Sequence, residues 1–526
     1  MFFAAAGGRV KAWRFADFSL EIWIAMETLN ISLELRWALG GVLIVYMVIM
    51  YGLALFAQRQ IHNTEDYLVA GRRLPLSLAW MTLLATWFGA GTILAAADEV
   101  REVGLRAAGL EPLGAGCCLL FAGLFIAAPM WREKLLTMPD LFRRRFGPTA
   151  EIMASLIMVP SFFGWIAAQF VALAGLLSLF FGMDPRLGLL VVGVLGTGYT
   201  LMGGMWSVTL TDAVQISLVM LGLVILGVVV LIELGDGHWI AGASVLINET
   251  PADKRTLIPR ESAAAFFGWL DLFAVAALGN MTGQDLMQRI FASKSERVAR
   301  RACFIAGVLY IVFGAIPVML GLSANLLLPG DAQVRILPAL AGVFLSPMLA
   351  VVFIVALVSA VLSTIDSAIL APASVLSQNV MSRFIRMPLL PLNRLAVLLV
   401  AACSLALAYV GENAYKLLEN AYSIPLTGLF VPMMFGLFTR PRSSLPALAS
   451  MVVGTGLWLF HFVMERVADW EYFLQGIEVI GRWHLPSSLT AAALAAVTYL
   501  IFEPPWRMQP HRPIQPPSTS TIEPCM

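Results

Sequence analysis

Charge is scarce in this chain. Only 13% of its 526 residues are Asp, Glu, Lys or Arg, about half the usual share of a soluble domain. Basic and acidic residues nearly cancel, 34 against 33, so no basic face accumulates for a nucleic-acid partner. Histidine and cysteine are rare as well, with five of each. The cysteines show no paired spacing, and Cys117, Cys118, Cys303 and Cys403 sit inside apolar runs, where cysteine behaves as a small hydrophobe. Cys117 and Cys118 are adjacent but supply too few ligands for a metal. There is no His/Glu cluster, no nucleophile with a base at usable spacing and no phosphate-binding loop, which argues against an enzyme and against a resident metal or other cofactor. Arg9, Lys11 and Arg14 are not followed by an apolar stretch with a small-residue cleavage site, so no cleavable signal peptide is expected. Met26, close before the first apolar helix, is an alternative start.

What is abundant is apolar length. Hydrophobic residues make up 59% of the chain, and long apolar segments follow one another from Leu33 to Phe502. A bilayer core of about 30 Å takes about 20 residues of helix, which matches these segments. The reading is an all-α polytopic membrane protein with thirteen transmembrane helices: 33–56, 75–97, 112–131, 148–182, 186–203, 207–233, 264–288, 299–326, 347–377, 392–411, 416–440, 444–464 and 485–503. The longer ones are expected to tilt or extend beyond the lipid. Segment 234–263 reads as a long loop. Segment 1–32 is expected to be an extracytoplasmic extension, and 504–526, polar and rich in proline, a short disordered cytoplasmic tail.

Lys and Arg crowd the loops that follow odd-numbered helices, most strongly at Arg143, Arg144 and Arg145 and at Arg297, Arg300 and Arg301. Short cytoplasmic loops carry that excess. The expected orientation is therefore N-terminus outside and C-terminus inside, in the cytoplasmic (inner) membrane of the cell.

A transporter frees backbone groups inside the membrane only where they line a cavity or are buried in protein. The second helix carries Ala85-Thr86-Trp87-Phe88-Gly89-Ala90-Gly91-Thr92 near its middle. This is either a helix break or a small-residue packing seam. Gly279-Asn280-Met281-Thr282-Gly283-Gln284 lies five helices later, and paired interruptions in two halves point to a binding site. The expected organisation is one helix (33–56), inverted repeats over 75–233 and 264–440, and two further helices over 444–503. In the ninth helix, Ser359, Ser363 and Asp366 fall at spacings of four and three and share a face. Hydroxyls there either bond back to the preceding turn or supply hard oxygen ligands to a cation. Asp366 and Asp271 are ionisable groups at membrane depth, which normally face a cavity or a partner. Asp212 lies nearer its helix end and is expected to be solvated.

At these residues the chain resembles the sodium:solute symporter family, whose core is the five-plus-five inverted repeat of the LeuT fold. The similarity covers about 65–440. It is carried in order by Asp66-Tyr67-Leu68-Val69-Ala70-Gly71-Arg72-Arg73, by Gly196-Thr197-Gly198-Tyr199-Thr200-Leu201-Met202-Gly203-Gly204-Met205-Trp206-Ser207-Val208, by Thr211-Asp212-Ala213-Val214-Gln215, by Gln284-Asp285-Leu286-Met287-Gln288-Arg289, and by Ser363-Thr364. The resemblance implies a sodium site between the first and eighth core helices. Its ligands would be the carbonyls of Ala85, Phe88 and Ala360 and the hydroxyls of Ser363 and Thr364, with Asp212 at the ion exit. The implied solute pocket lies beside the breaks, with Trp87, Gly91, Trp165, Gln169, Asn280 and Gln284 as candidates. Ala85-Thr86-Trp87 and Ser363-Thr364-Ile365-Asp366-Ser367 look nearest to the choline-transporter-like branch. Gly283 and Ala115 stand where that branch carries aromatics, which widens the expected pocket.

The function these expectations imply is sodium-coupled symport of a small organic solute by alternating access. The alternatives left open are proton coupling through Asp366 and a transporter-like solute sensor without net flux. The short stretch after Pro504 offers no room for the output domain that a sensor needs. The expected partners are the solute, sodium and the lipid bilayer.

Overall fold

The computed structural model describes residues 33–328, 335–410, 414–464, 487–505 and 509–510. The expected N-terminal extension and nearly all of the expected tail lie outside the described residues. Ten helices within the described residues are long and apolar enough to cross a bilayer, by length and composition. Three shorter apolar helices, Leu76–Trp87, Pro185–Gly198 and Ser487–Phe502, accompany them.

In chain order the helices that matter here are α1 (Leu33–Gln58), α2 (Leu76–Trp87), α3 (Ala96–Val103), α4 (Ala115–Phe121), α5 (Pro148–Phe181), α6 (Pro185–Leu234), α7 (Ala263–Ala274), α8 (Gln284–Ala292), α9 (Glu296–Leu327), α10 (Pro347–Val375), α11 (Leu389–Ala408), α12 (Ala414–Pro425), α13 (Leu445–Met464) and α14 (Ser487–Phe502).

Local chemistry sets many of these ends. Pro148, Pro185 and Pro347 open α5, α6 and α10, a position where the missing N–H costs nothing. Side-chain oxygens of Asp184, Ser262 and Ser295 cap α6, α7 and α9 by accepting from Leu187, Ala265 and Val298 N–H. The two helices expected over 186–203 and 207–233 both lie within α6 and meet at a kink at Gly204, where φ is 50° and ψ −147°. A side chain there would be strained at that φ and would run into the ring and carbonyl of Tyr67. Gly196 in the same signature lets Ile365 of α10 come within contact of the α6 backbone. The glycine-rich signature is thus a packing device that seats α6 against α10 and the segment before α2.

Segment 234–263 is not simply a loop. It carries the helix Trp239–Glu249, whose Trp239, Ile240 and Ile247 stay exposed. A second short helix, Ile336–Phe344, precedes α10. Neither has the length of a crossing, which is why the apolar-run reading passed over them.

The core divides into two interlocked sets. α9 packs on α2, α4 and α8, with α8 also against α2, and α5, α6, α10 and α11 pack on one another. The two sets meet where α2 lies against α6 and α10. There the polar residues Thr82, Thr86, Asp212, Ser363, Thr364, Asp366 and Ser367 are all 0–1% exposed. This seam is where the candidate site sits.

Candidate functional site

The α2 helix stops at Trp87. Phe88 leaves helical geometry (φ −84°, ψ 60°), and the chain resumes in a wide turn at Gly91–Ala95 before α3. The Gly89 backbone is pressed so close to Thr364 Oγ1 and Gln169 Oε1 that a Cβ would collide with both. Gln169 Oε1 accepts from the freed N–H of Ala90 at 2.9 Å. A second interruption mirrors the first: α7 passes into a wide turn at Val275–Gly279, then into Asn280–Thr282, and α8 restarts after an extended Gly283.

At the first break the hydroxyls of α10 arrive. Ser363 Oγ lies 2.8 Å from the Ala360 carbonyl of its own helix and 3.2 Å from the Ala85 carbonyl of α2. Thr364 Oγ1 lies 3.2 Å and 3.5 Å from the same two carbonyls. Back-bonding alone would explain only the contacts within α10. The shared second acceptor on another helix is the discriminating feature: four oxygens from two helices converge on one point. Phe88, the fifth residue of the expected set, is buried at the break itself.

Beside this junction lies a cavity lined by Trp87, Glu111, Ser161, Phe162, Trp165, Gly279, Asn280, Gly283, Asp285, Ala421, Tyr422 and Pro425. About 420 Å³ of space lies between these walls, open solvent at the mouth included. Of the six residues expected in a solute pocket, Trp87, Trp165 and Asn280 line it. Gln169 stands instead at the first break. Gly91 opens the wide turn beyond it. Gln284 points away: its Oε1 accepts from Met138 N–H at 2.6 Å, and its Nε2 donates to Ser374 Oγ at 3.1 Å. Ala115, buried in α4, is not among the lining residues either.

The cavity also holds two carboxylates that sequence reasoning did not select. Asp285, in the first turn of α8, accepts from the Trp87 indole N–H at 2.5 Å, and the α8 N-terminus favours a negative charge there. Glu111 accepts from Thr92 at 3.1 Å and Tyr422 at 3.4 Å. The Tyr310 hydroxyl is 2.6 Å from Glu111 Oε2 and 3.0 Å from the Trp87 carbonyl, and donates to one of them at a time. Two buried acids among the aromatic faces of Trp87, Phe162, Trp165 and Tyr422 can neutralise and enclose a cation.

Three other acidic residues resolve differently. Asp212 is fully buried, not solvated. The bend at Gly204 folds the chain back so that Asp212 faces α2, where its Oδ2 accepts from Thr82 at 2.5 Å. Asp366 is also fully buried and accepts from Ser367 at 3.2 Å. Asp271 does not reach the cavity; it accepts from Leu489 N–H at 2.6 Å at the start of α14.

The sequence pattern of the sodium:solute symporter family matches residues 67–454. The chain is 26% identical to the human high affinity choline transporter 1 over 424 residues, covering 74% of this chain and 70% of that one. It is 23% identical to the sodium/glucose cotransporter of Vibrio parahaemolyticus over 460 residues, covering 79% and 83%. The structure aligns with that of a Na+-coupled sialic acid symporter at a TM-score of 0.70 and 20% identity, over 89% of this chain and 96% of that one.

Proposed function

This chain belongs to the sodium:solute symporter family, with a helical LeuT-type fold of many membrane-spanning segments, and from its two junctions we propose that it drives a small organic cation of the choline type across the membrane with sodium. Sodium is the coupling ion and a quaternary or protonated amine the solute. The observation that carries this reading is the convergence of the Ser363 and Thr364 hydroxyls on the Ala85 carbonyl at the broken end of α2. It sits beside a cavity whose charged walls, Asp285 and Glu111, are both acidic.

In this reading sodium takes the carbonyls of Ala85, Phe88 and Ala360 with the two hydroxyls and ties α2 to α10. The solute lodges between Trp87, Phe162, Trp165 and Tyr422, with its charge towards Asp285 and Glu111 and Asn280 at its edge. The set containing α2 and α8 then rocks against the set containing α5 and α10, and sodium leaves past Asp212. The repeats span 75–233 and 264–440 among thirteen crossings, the N-terminus lies outside, and the arginine-rich ends face the cytoplasm. The Vibrio relative is named a sodium/glucose cotransporter, and glucose carries no charge for a cavity to neutralise.

The test is uptake of radiolabelled choline into proteoliposomes under an inward sodium gradient, against equimolar potassium and against a proton gradient alone. Accumulation above the outside concentration with sodium only is the expected result. Accumulation with the proton gradient alone would transfer coupling to Asp366. Sodium-dependent choline binding without accumulation would make the protein a sensor.

A further inference from the structure

Arg289 is the largest completely buried side chain among the described residues. A buried guanidinium in a membrane protein is costly and needs partners. Its Nη2 donates to Ser367 Oγ at 2.6 Å and its Nη1 to the Asp285 carbonyl at 3.1 Å. The nearest carboxylate, Asp212 Oδ2, is 4.0 Å away. The fit is incomplete: Arg289 Nε and Asp212 Oδ1 have no hydrogen-bond partner among the described residues. This is the arrangement of a charge pair that can change partners, not of a saturated one.

Its position along the chain matters more than its contacts. Thr82, which donates to Asp212, lies three residues before Ala85 on α2. Ser367 lies four residues after Ser363 on α10. Thr86 links the two helices, with its Oγ1 3.2 Å from Ser367 Oγ. Both steps are one helical turn, about 5.4 Å, and both run towards the ends of α2 and α10 that adjoin the arginine-rich segments. Arg289 therefore stands one turn below the proposed ion site, across the route to that side. On α8 it is one turn from Asp285 and on the same face, and Asp285 holds Trp87 in the cavity. Because α8 restarts after the extended Gly283, it can move as a short rigid piece carrying both residues.

We propose that Arg289 is the residue that couples the solute cavity to sodium release: a tethered cation that blocks the exit by like-charge repulsion until α8 moves. A guanidinium one turn from a bound sodium weakens that sodium in a low-dielectric interior. Withdrawing it frees Asp212 to receive the ion. The inference rests on the sodium site of the preceding section and assigns a role to a residue outside it.

The experiment is a sodium titration of the thermal stability of purified full-length protein, which needs no solute, paired with solute-free influx of radioactive sodium into proteoliposomes. Arg289→Gln is expected to lower the half-saturating sodium concentration at least fivefold and to open a solute-free sodium leak. Arg289→Lys, which keeps the charge, is expected to remain within twofold of the native value and without leak. Asp212→Asn, which leaves the guanidinium without its carboxylate, is expected to raise the half-saturating concentration at least fivefold and serves if Arg289→Gln does not fold. A folded Arg289→Gln or Asp212→Asn with native sodium dependence would overturn the inference, as would a leak in Arg289→Lys equal to that of Arg289→Gln. Were the native protein itself not stabilised by sodium, the ion site would be lost and this inference with it; a native response with unresponsive variants would remove the inference alone.

Discussion

The proposed ion junction and the proposed solute cavity share a broken helix and lie side by side, yet they are built by different rules. The junction uses oxygens that carry no formal charge: two hydroxyls and one carbonyl of α10 and one carbonyl at the end of α2. Its chemistry is written in short stretches of sequence. The cavity draws its walls from six separate stretches, Trp87, Glu111, Ser161–Trp165, Gly279–Gly283, Asp285 and Ala421–Pro425, and its polarity comes from carboxylates held by neighbours distant in sequence. A motif can therefore report which ion drives such a protein while saying little about what it carries.

The comparison breaks most visibly if the junction is disabled. Ser363→Ala with Thr364→Ala removes two hydroxyl ligands. At roughly 1–3 kcal/mol for each lost buried partner, sodium-driven uptake should fall about thirtyfold or more, measured as initial rate in proteoliposomes. Retained uptake would show that the junction is packing only. Asp285→Asn should separate the regions from the other side. Charge-assisted contacts of about 1.5–3 kcal/mol predict a loss of roughly 10- to 100-fold in uptake of an organic cation, with sodium affinity kept within about threefold in a binding assay.

Two smaller effects sharpen the boundary. Gly89→Ala places a Cβ on Thr364 Oγ1 and Gln169 Oε1. Overpacking of that kind costs about 1–3 kcal/mol, so the melting temperature should fall and sodium should restore less of it than in the native protein. Gln284→Ala should hardly change the half-saturating solute concentration, within about twofold, since Gln284 braces Met138 and Ser374 and not the cavity. A tenfold rise would place it in the solute path after all.

How much of this was legible follows from the same contrast. Both interruptions, at 85–92 and 279–284, could be read from glycines beside polar residues in apolar runs, because a freed backbone at membrane depth leaves a compositional trace. Ser363 could be read from the face it shares with Ser359 and Asp366 at helical spacings of four and three, whereas Thr364 was legible only through the family resemblance. Asp285 was within the quoted motif, yet Gln284 was chosen. Successive residues on a helix point about 100° apart, and one of them faces the cavity while the other faces Met138. The signal that could have decided is the cost of a carboxylate at this depth. Glu111 falls just before the expected start of a helix at 112, and its partners Tyr310 and Tyr422 lie about 200 and 311 residues away, beyond any periodicity. Asp212 was misplaced because a count from the helix end cannot foresee the bend at Gly204 that buries it.

The central claim is that the ion site stands on its own, apart from the cavity. Equilibrium binding of radioactive sodium to the purified protein, without solute, tests it in one assay on the native chain, Ser363→Ala and Asp285→Asn. The account predicts saturable, sodium-selective binding that disappears in Ser363→Ala and persists in Asp285→Asn. Binding that survives Ser363→Ala, or that vanishes with Asp285→Asn while the protein stays folded, would contradict it.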